Sequence, residues 1–182
     1  MELLHFTEKR ASKVTAPIKF FSGSSEALPL DDRSIDTVAM TLTLCSIDNT
    51  RKAPAEIRRV LKSGGRFATF DALLNSGEPH YPVPHYPVPW ARTPETSFLM
   101  TAAATREAIE SAGFRTLVWQ DDTEAAKAWF AQLRASGPPP SPNLGVVMGP
   151  EFAQLASNIG RNLMEGRLGI LTAVFEAAST NA

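Results

Sequence analysis

The apolar and polar positions of the chain fall into blocks that predict strands and helices in alternation. Short apolar runs, which favour strands, are separated by stretches in which apolar residues recur at the spacing of a helix. The predicted strands cover residues 18–21, 37–44, 66–70, 115–120 and 168–175. The predicted helices cover residues 2–13, a segment that begins within a turn of Pro54, and residues 102–112, 123–135 and 150–164. This alternation indicates an α/β fold.

The block from residue 37 to residue 71 carries the clearest local signals. Residues 37–44 are apolar or β-branched without clean alternation, which is typical of a strand covered on both faces in a parallel sheet. The inner stripe of the next helix consists of Ile57, Val60 and Leu61. Gly64 and Gly65 are expected to end that helix, because glycine adopts the left-handed cap at little cost. Asp71 then stands at the carboxyl end of the following strand.

Composition and charge exclude several classes of function. The chain has 182 residues, 43% apolar and 20% charged, which suits one soluble domain with a core. A net charge of −1 offers no basic surface for nucleic acid or an anionic membrane. Cys45 is the only cysteine, so an intramolecular disulfide is excluded, in keeping with a reducing compartment. With no apolar stretch of the roughly 20 residues that cross a bilayer and no signal-peptide core, a cytoplasmic protein is expected.

Polar residues follow the predicted strands at three places. These are residues 22–26, residues 41–46 and Asp71 with the loop after it. Ligands of open parallel sheets bind beyond the carboxyl ends of the strands, so these segments are expected to line one edge of the sheet.

Two of these segments carry family motifs. Residues 23–41 read GSSEALPLDDRSIDTVAMT and residues 55–67 read AEIRRVLKSGGRF. They resemble the later motifs of class I S-adenosylmethionine-dependent methyltransferases of the type 11 group, and residues 75–165 are similar to the substrate-side half of small-molecule members. The resemblance implies a Rossmann-like methyltransferase sheet with flanking helices, S-adenosylmethionine as cofactor, and methyl transfer to a small-molecule acceptor that the sequence does not specify. One domain over residues 1–182 follows, with cofactor-side motifs at 18–71 and a final strand at 168–176.

The resemblance also implies which residues contact the cofactor. Ser24, Ser25 and Glu26 match the turn beside the adenine, and Thr41 with Leu42 matches the strand end beside the methionine part. Ser24 stands where the family commonly has an aspartate. A neutral hydroxyl accepts a weaker hydrogen bond than a carboxylate, so a weaker adenine contact is expected.

The substrate side is implied at four residues: Cys45, Ser46, His85 and Trp90. On its own, a cysteine at an apolar strand end is more often a buried small residue than a nucleophile. His85 lies in a tandem repeat, HYPVP at residues 80–84 and again at 85–89, where a histidine can take a proton from a hydroxyl substrate. Metal binding is not expected, because the two repeat histidines have no cysteine or carboxylate cluster beside them.

The front of the family pattern is missing from the sequence. No Gly-x-Gly occurs in the chain, so the glycine-rich loop and the first two strands of the family are expected to precede Met1. Two hypotheses remain: a methyltransferase weakened by a truncated amino terminus, or a non-catalytic module completed by a partner. In both, exposed strand edges predict oligomer formation.

Overall fold

The computed structural model describes residues 18, 19, 21, 23–75, 83–137 and 149–178 of the chain. The predicted helix at 2–13 lies outside these residues. The strands are β1 (Ile35–Thr41), β2 (Leu61–Leu74), β3 (Phe114–Asp121) and β4 (Leu168–Ala177). The helices are α1 (Lys52–Val60), α2 (Ala102–Glu110), α3 (Thr123–Ser136) and α4 (Phe152–Met164), with 3₁₀ turns at Leu44–Ser46 and Pro94–Thr96.

The strands form one open sheet in the order β1-β2-β4-β3. β1 runs parallel to β2, and β4 runs antiparallel to both β2 and β3. β1, β2 and β3 therefore point the same way, and their carboxyl ends meet at one edge, where β4 begins. The predicted α/β class, with helices flanking a single sheet, is confirmed.

Both faces of the sheet carry helices, but unequally. Under α1 and α2, Phe67 and Phe175 are fully buried with ring centroids 5.7 Å apart, and each large side chain buried there contributes about 1.5–3 kcal/mol. α3 and α4 cover the opposite face only around its carboxyl edge, through Leu163 and Leu168. On the same face Phe70, which pairs with Thr41 at the carboxyl end of β1, and Val118 remain 39% and 45% exposed. This face is therefore only partly covered.

Two strand predictions are wrong. Of residues 18–21, the described Ile18, Lys19 and Phe21 form no strand, and Ile18 and Phe21 are 46% and 56% exposed. β1 spans residues 35–41 rather than 37–44, and none of its residues is buried. The reason is position: in the described sheet β1 is an end strand, so it has a neighbour on one side only.

The glycine pair does not end a helix. α1 stops at Val60, and Leu61 is already extended, with φ −75° and ψ 136°. Gly64, with φ +72°, and Gly65 lie inside β2, where the chain advances from Leu61 to Arg66 while β1 advances only from Ile35 to Thr37. The glycines absorb this bulge, because a left-handed residue is needed where the two strands fall out of step.

Gly65→Ala is expected to lower the free energy of unfolding by about 1–3 kcal/mol. A Cβ there would lie 3.0 Å from the carbonyl oxygen of Lys62 and 3.1 Å from that of Asp36, and backbone atoms give way only at a cost. Gly23→Ala is the matched control, since nothing lies within 4 Å of its Cβ position. Urea unfolding of both variants measures the difference, and equal stabilities would show that the bulge is not tightly packed.

Among the described residues, no helix combines the length and the apolar character that crossing a membrane requires.

Candidate functional site at the carboxyl edge of the sheet

The turn after β1 is held by one buried carboxylate. Leu42 has a left-handed φ of +50°, and its amide donates to the carbonyl of Phe70 at 2.8 Å. The next two amides, of Thr43 and Leu44, donate to Oδ2 of Asp71 at 3.1 and 2.8 Å. Oδ1 of Asp71 accepts the amide of Ala72 at 3.0 Å. Asp71 thus fixes the backbone of Thr43 and Leu44 at the carboxyl edge of the sheet.

Asp71 is only 1% exposed, and burial raises the pKa of its carboxyl above the usual range. The backbone hydrogen bonds from Leu44 and Thr43, with a bond from the Cys45 thiol, oppose that rise by stabilising the carboxylate. The same burial raises the pKa of the Cys45 thiol strongly, and the neighbouring Asp71 adds to the effect. The thiol is therefore neutral, and Cys45 is not an activated nucleophile.

Cys45 and Ser46 occupy different environments. Cys45 is 2% exposed, and its carbonyl accepts the amide of Phe98 at 2.9 Å, so the side chain belongs to the core at this edge. This burial favours a structural thiol over one that faces a substrate. Ser46 is exposed, and its hydroxyl donates to the carbonyl of Thr43 at 2.7 Å.

The turn at residues 24–27 packs beside the start of α1. The carbonyl of Ser24 accepts the amide of Ala27 at 3.1 Å, and its hydroxyl accepts the amide of Glu26 at 3.1 Å. One carboxylate oxygen of Glu26 accepts the amide of Asn49 at 3.3 Å, and the other lies 3.7 Å from the ammonium of Lys52. Glu26 therefore fastens the turn to the helix, while Ser24 stays exposed.

The loop at residues 83–91 is fastened to α4. Asn162, fully buried, accepts the amide of His85 at 2.7 Å and donates to its carbonyl at 3.0 Å. Asn158 donates to the carbonyl of Pro87 at 2.8 Å. Farther along, the indole of Trp90 donates to the hydroxyl of Ser97 at 3.1 Å.

The loop and the turn after β1 share one hydrophobic cluster. Trp90 and Leu42 both pack against the cluster of Ala72, Leu163, Leu168 and Ile170. α4 therefore connects the loop to the carboxyl edge of the sheet.

Glu165, at the end of α4, accepts hydrogen bonds from three side chains. Its carboxylate accepts from Nε of Arg161 at 2.7 Å, Nε of Arg167 at 2.6 Å and Nε2 of His85 at 2.8 Å. These bonds, the one from Arg161 foremost, lower the pKa of Glu165 from 4.5 to about 2. Arg167 also donates to the carbonyl of Val83 at 2.5 Å.

Acid is expected to remove the stabilising contribution of Glu165. In the unfolded chain the group binds a proton near pH 4.5, but in the folded chain only near pH 2, so between these values the unfolded state holds more protons and stability falls as the pH falls. The difference in urea midpoint between the wild type and Glu165→Gln should therefore shrink from pH 6 to pH 3. A difference that stays constant over this range would contradict the role assigned to the carboxylate.

A groove of about 430 Å³ lies at the opposite edge of the sheet and includes Arg33, Arg58, Arg59 and Gly113 in its lining. Two of its three arginines are engaged within the protein. Arg59 pairs with Glu56 at 2.7 Å and with Asp32 at 2.5 Å, and Arg58 donates to the carbonyl of Ala178 at 2.5 Å. Arg58 and Arg59 of this groove are therefore already paired within the protein.

The structure brings several of the predicted site residues together. The described carboxyl edge holds Thr41, Leu42, Cys45 and Ser46 on one turn, and Ser24, Ser25 and Glu26 on a second turn near the start of α1. His85 and Trp90 lie on the loop that α4 fastens.

The sequence placed Asp71 at this edge but assigned it no role, and it missed Asn162 and Glu165. One signal was available: asparagine disfavours the interior of a helix, so an asparagine beside the apolar stripe of α4 suggests a specific hydrogen bond.

Comparison with known proteins finds similarity to methyltransferases over part of the chain. The family model described as a methyltransferase domain matches residues 1–69. The ubiquinone/menaquinone biosynthesis C-methyltransferases UbiE of Methylobacterium nodulans and Rubrivivax gelatinosus are 37% identical over 60 residues and 30% identical over 115 residues. These segments cover 33% and 54% of this chain but 24% and 46% of the relatives, so the chain spans less than half of either.

The fold has close counterparts among solved structures. Geranyl diphosphate C-methyltransferase from Streptomyces coelicolor A3(2), in complex with Mg²⁺, geranyl diphosphate and S-adenosyl-L-homocysteine, has a TM-score of 0.71 at 15% identity. That alignment covers 96% of this chain and 58% of the enzyme. At such identity the likeness establishes the fold, a Rossmann-like methyltransferase fold, and leaves the reaction to be argued from the site.

Proposed function

We propose that this chain, whose fold and family match relate it to the class I S-adenosylmethionine-dependent methyltransferases, binds S-adenosylmethionine at the carboxyl edge of its sheet and transfers the methyl group to a small molecule. One observation carries the proposal: Asp71, buried and bonded to consecutive amides, fixes the turn after β1 in a single geometry. Such preorganisation is what an in-line transfer requires from the protein.

The exposed polar groups of this edge fit the cofactor. Ser24 and Thr41 are exposed, while the buried carboxylate of Asp71 already accepts hydrogen bonds from protein donors on both oxygens. Ser24, Ser25 and Glu26 would hold the adenine, and Thr41 with Leu42 would flank the methionine part. S-adenosylmethionine supplies an electrophilic methyl group on a positively charged sulfur.

The acceptor is assigned to the space between the turn after β1 and the loop at 83–91. Ser46 offers a hydroxyl there, Trp90 an apolar wall, and His85 an imidazole. Because the loop is fastened to α4 through Asn162, these groups keep their positions relative to the sheet. The transfer then depends on orienting the acceptor and excluding water.

Calorimetric titration with S-adenosylhomocysteine tests cofactor binding. Ser24→Asp is expected to bind about five- to tenfold more tightly than the wild type, because a charge-assisted bond to the adenine replaces a neutral one. Ser25→Asp is the control at the neighbouring position, where no gain is expected. No heat of binding with millimolar ligand in either the wild type or Ser24→Asp would refute the proposed function.

A second candidate is a non-catalytic module whose sheet a partner strand completes. It is favoured by β1, which pairs on one side only in the described sheet and has no buried residue. An open edge of this kind pairs readily with another strand. Sedimentation velocity separates the two: a monomer that binds S-adenosylhomocysteine supports the enzyme, and an oligomer that does not bind it supports the module.

A further inference from the structure

The groove at the edge opposite the proposed cofactor site is lined by positive charge, although the whole chain has a net charge of −1. Its volume of about 430 Å³ lies within the range of pockets that hold small molecules. We propose that this groove binds the phosphate group of a small molecule. The inference goes beyond the methyl transfer proposed above and does not depend on it.

The charged residues that line the groove are mostly arginines. Among the described residues they are three arginines, Arg33, Arg58 and Arg59, and one aspartate, Asp32, which gives the lining a formal charge of +2. Asp32 lies 2.5 Å from Arg59, so these two charges compensate each other. Arg59 also pairs with Glu56, which is outside the lining. The other lining residues are glycine and alanines, whose small side chains leave room for a ligand.

The charges of Arg33 and Arg58 are not compensated by a carboxylate in the described part of the chain. Arg58 donates at 2.5 Å to the carbonyl of Ala178, a group without formal charge. A guanidinium has five N–H donors, so Arg58 keeps donors for a ligand. The guanidinium of Arg33 makes no hydrogen bond and no ion pair with any described residue, and Arg33 is exposed. Two positive charges of this groove are therefore available to an anion.

The backbone of Arg33 adopts a conformation that favours glycine. Its φ is +51°, in the left-handed region, where a side chain is strained. The amide of Arg33 donates to the carbonyl of Arg59 at 2.9 Å, and the amide of Ser34 donates to the carbonyl of Val60 at 2.9 Å, so the end of α1 fixes this turn. Strained residues cluster at ligand sites. An arginine at a position suited to glycine is therefore consistent with a role for its side chain.

The carboxyl ends of α1 and α2 also approach the groove, and free carbonyls at such ends would repel an anion. The terminal carbonyls are occupied here. Those of Arg59 and Val60 accept the two amides of the turn, and that of Glu110 accepts the amide of Gly113 at 3.0 Å. The carbonyl of Gly113 accepts the amide of Ala178 at 3.0 Å. The arginine side chains therefore remain the main charges that a ligand would meet.

Two guanidinium groups suit a phosphate better than a carboxylate. A single arginine can occupy both oxygens of a carboxylate with two parallel hydrogen bonds. A phosphate monoester has three acceptor oxygens and up to two negative charges near neutral pH. Arg33 and Arg58 supply two positive charges from separate segments of the chain, which matches the charge of a phosphate monoester.

Amide NMR titration of the whole chain with glucose 6-phosphate, in a buffer without phosphate, tests the proposal. The largest shifts are expected at Arg33, Arg58 and Gly113, whereas uncharged glucose should shift none of these amides. Inorganic phosphate then distinguishes two sources of the group. Affinity at least equal to that of the ester assigns the groove to free phosphate, and lower affinity assigns it to a phosphorylated metabolite. Shifts confined to other regions, no shifts with either anion, or equal shifts with glucose would overturn the proposal.

Variants of Arg33 separate binding from folding. Arg33→Gln should weaken binding of the preferred anion about tenfold, the value of one charge-assisted hydrogen bond. Arg33→Gly should weaken it similarly without lowering the urea midpoint, because glycine adopts the left-handed region freely. Arg51→Gln is the matched control: Arg51 precedes α1, its side chain is 77% exposed, and it does not line the groove. Unchanged binding in both Arg33 variants, or equal weakening in Arg51→Gln, would contradict a site built on Arg33. S-adenosylhomocysteine binding at the carboxyl edge is a separate measurement, so either proposal can fail alone.

Discussion

Asp71→Asn is expected to weaken S-adenosylhomocysteine binding about tenfold or more and to lower the free energy of unfolding by about 1–3 kcal/mol. Both carboxylate oxygens of Asp71 accept backbone hydrogen bonds, Oδ2 from Thr43 and Leu44 and Oδ1 from Ala72. An asparagine has only one accepting oxygen, so in either orientation its NH₂ group faces an amide N–H. The turn after β1 then loses its fixed geometry.

The asparagine side chain is neutral, so the variant does not have to bury a charge. The expected loss of unfolding free energy is therefore smaller than for a broken buried ion pair. Asp121→Asn is the matched control, because Asp121 pairs with Leu171 from the other side of the sheet. Its carboxylate is bonded by Thr123 alone among the described residues, the amide donating at 2.9 Å. Urea unfolding and calorimetry should separate the two variants. Equal binding of S-adenosylhomocysteine by Asp71→Asn and the wild type would show that the Asp71 carboxylate does not contribute to the cofactor site.

Asn162→Leu is expected to lower the free energy of unfolding by about 2–4 kcal/mol. The leucine leaves the backbone amide and carbonyl of His85 without their hydrogen-bond partner, beside a buried apolar side chain. The leucine nearly matches the asparagine in volume, so the effect reports lost hydrogen bonds more than lost packing. Hydrogen exchange of the loop at 83–91 should accelerate in parallel.

Asn158→Leu is the control on the same helix. Asn158 is only half-buried and donates one bond, to Pro87, so a cost of about 1 kcal/mol is expected. Exchange that stays slow in Asn162→Leu would mean that the ion pairs of Glu165, rather than Asn162, fasten the loop.

Local patterns predicted the four described helices and the strands near 115–120 and 168–175 well, because these elements are specified by residues close together in the sequence. Ile57 and Val60 of the predicted stripe are buried to within 1% exposure, as their spacing predicted, whereas Leu61, equally buried, belongs to β2 and not to the helix. The predicted helix at 102–112 begins where Thr101 caps α2, its hydroxyl accepting the amide of Ala104 at 3.2 Å. Such signals lie within one turn of the chain and need no knowledge of the fold.

The predictions that failed depended on partners distant in sequence. A glycine pair after a helical stripe predicts a helix cap. Here the two glycines instead lie in β2, where the register between β1 and β2 shifts. The apolar run at 37–44 reads as a covered strand, but its burial depends on neighbours that its own residues do not reveal. Likewise, Asp71 gains its function only when the turn after β1, some 27 residues earlier, folds onto it.

The most direct test of the proposed cofactor site is an amide NMR titration of the whole chain with S-adenosylhomocysteine. The account predicts that the largest shifts fall on the amides of residues 41–46 and 24–26, at the carboxyl edge. Amides around the opposite groove, such as those of Arg33, Arg58 and Gly113, should stay unchanged. Shifts concentrated at that groove, or no shifts at millimolar ligand, would contradict the central claim.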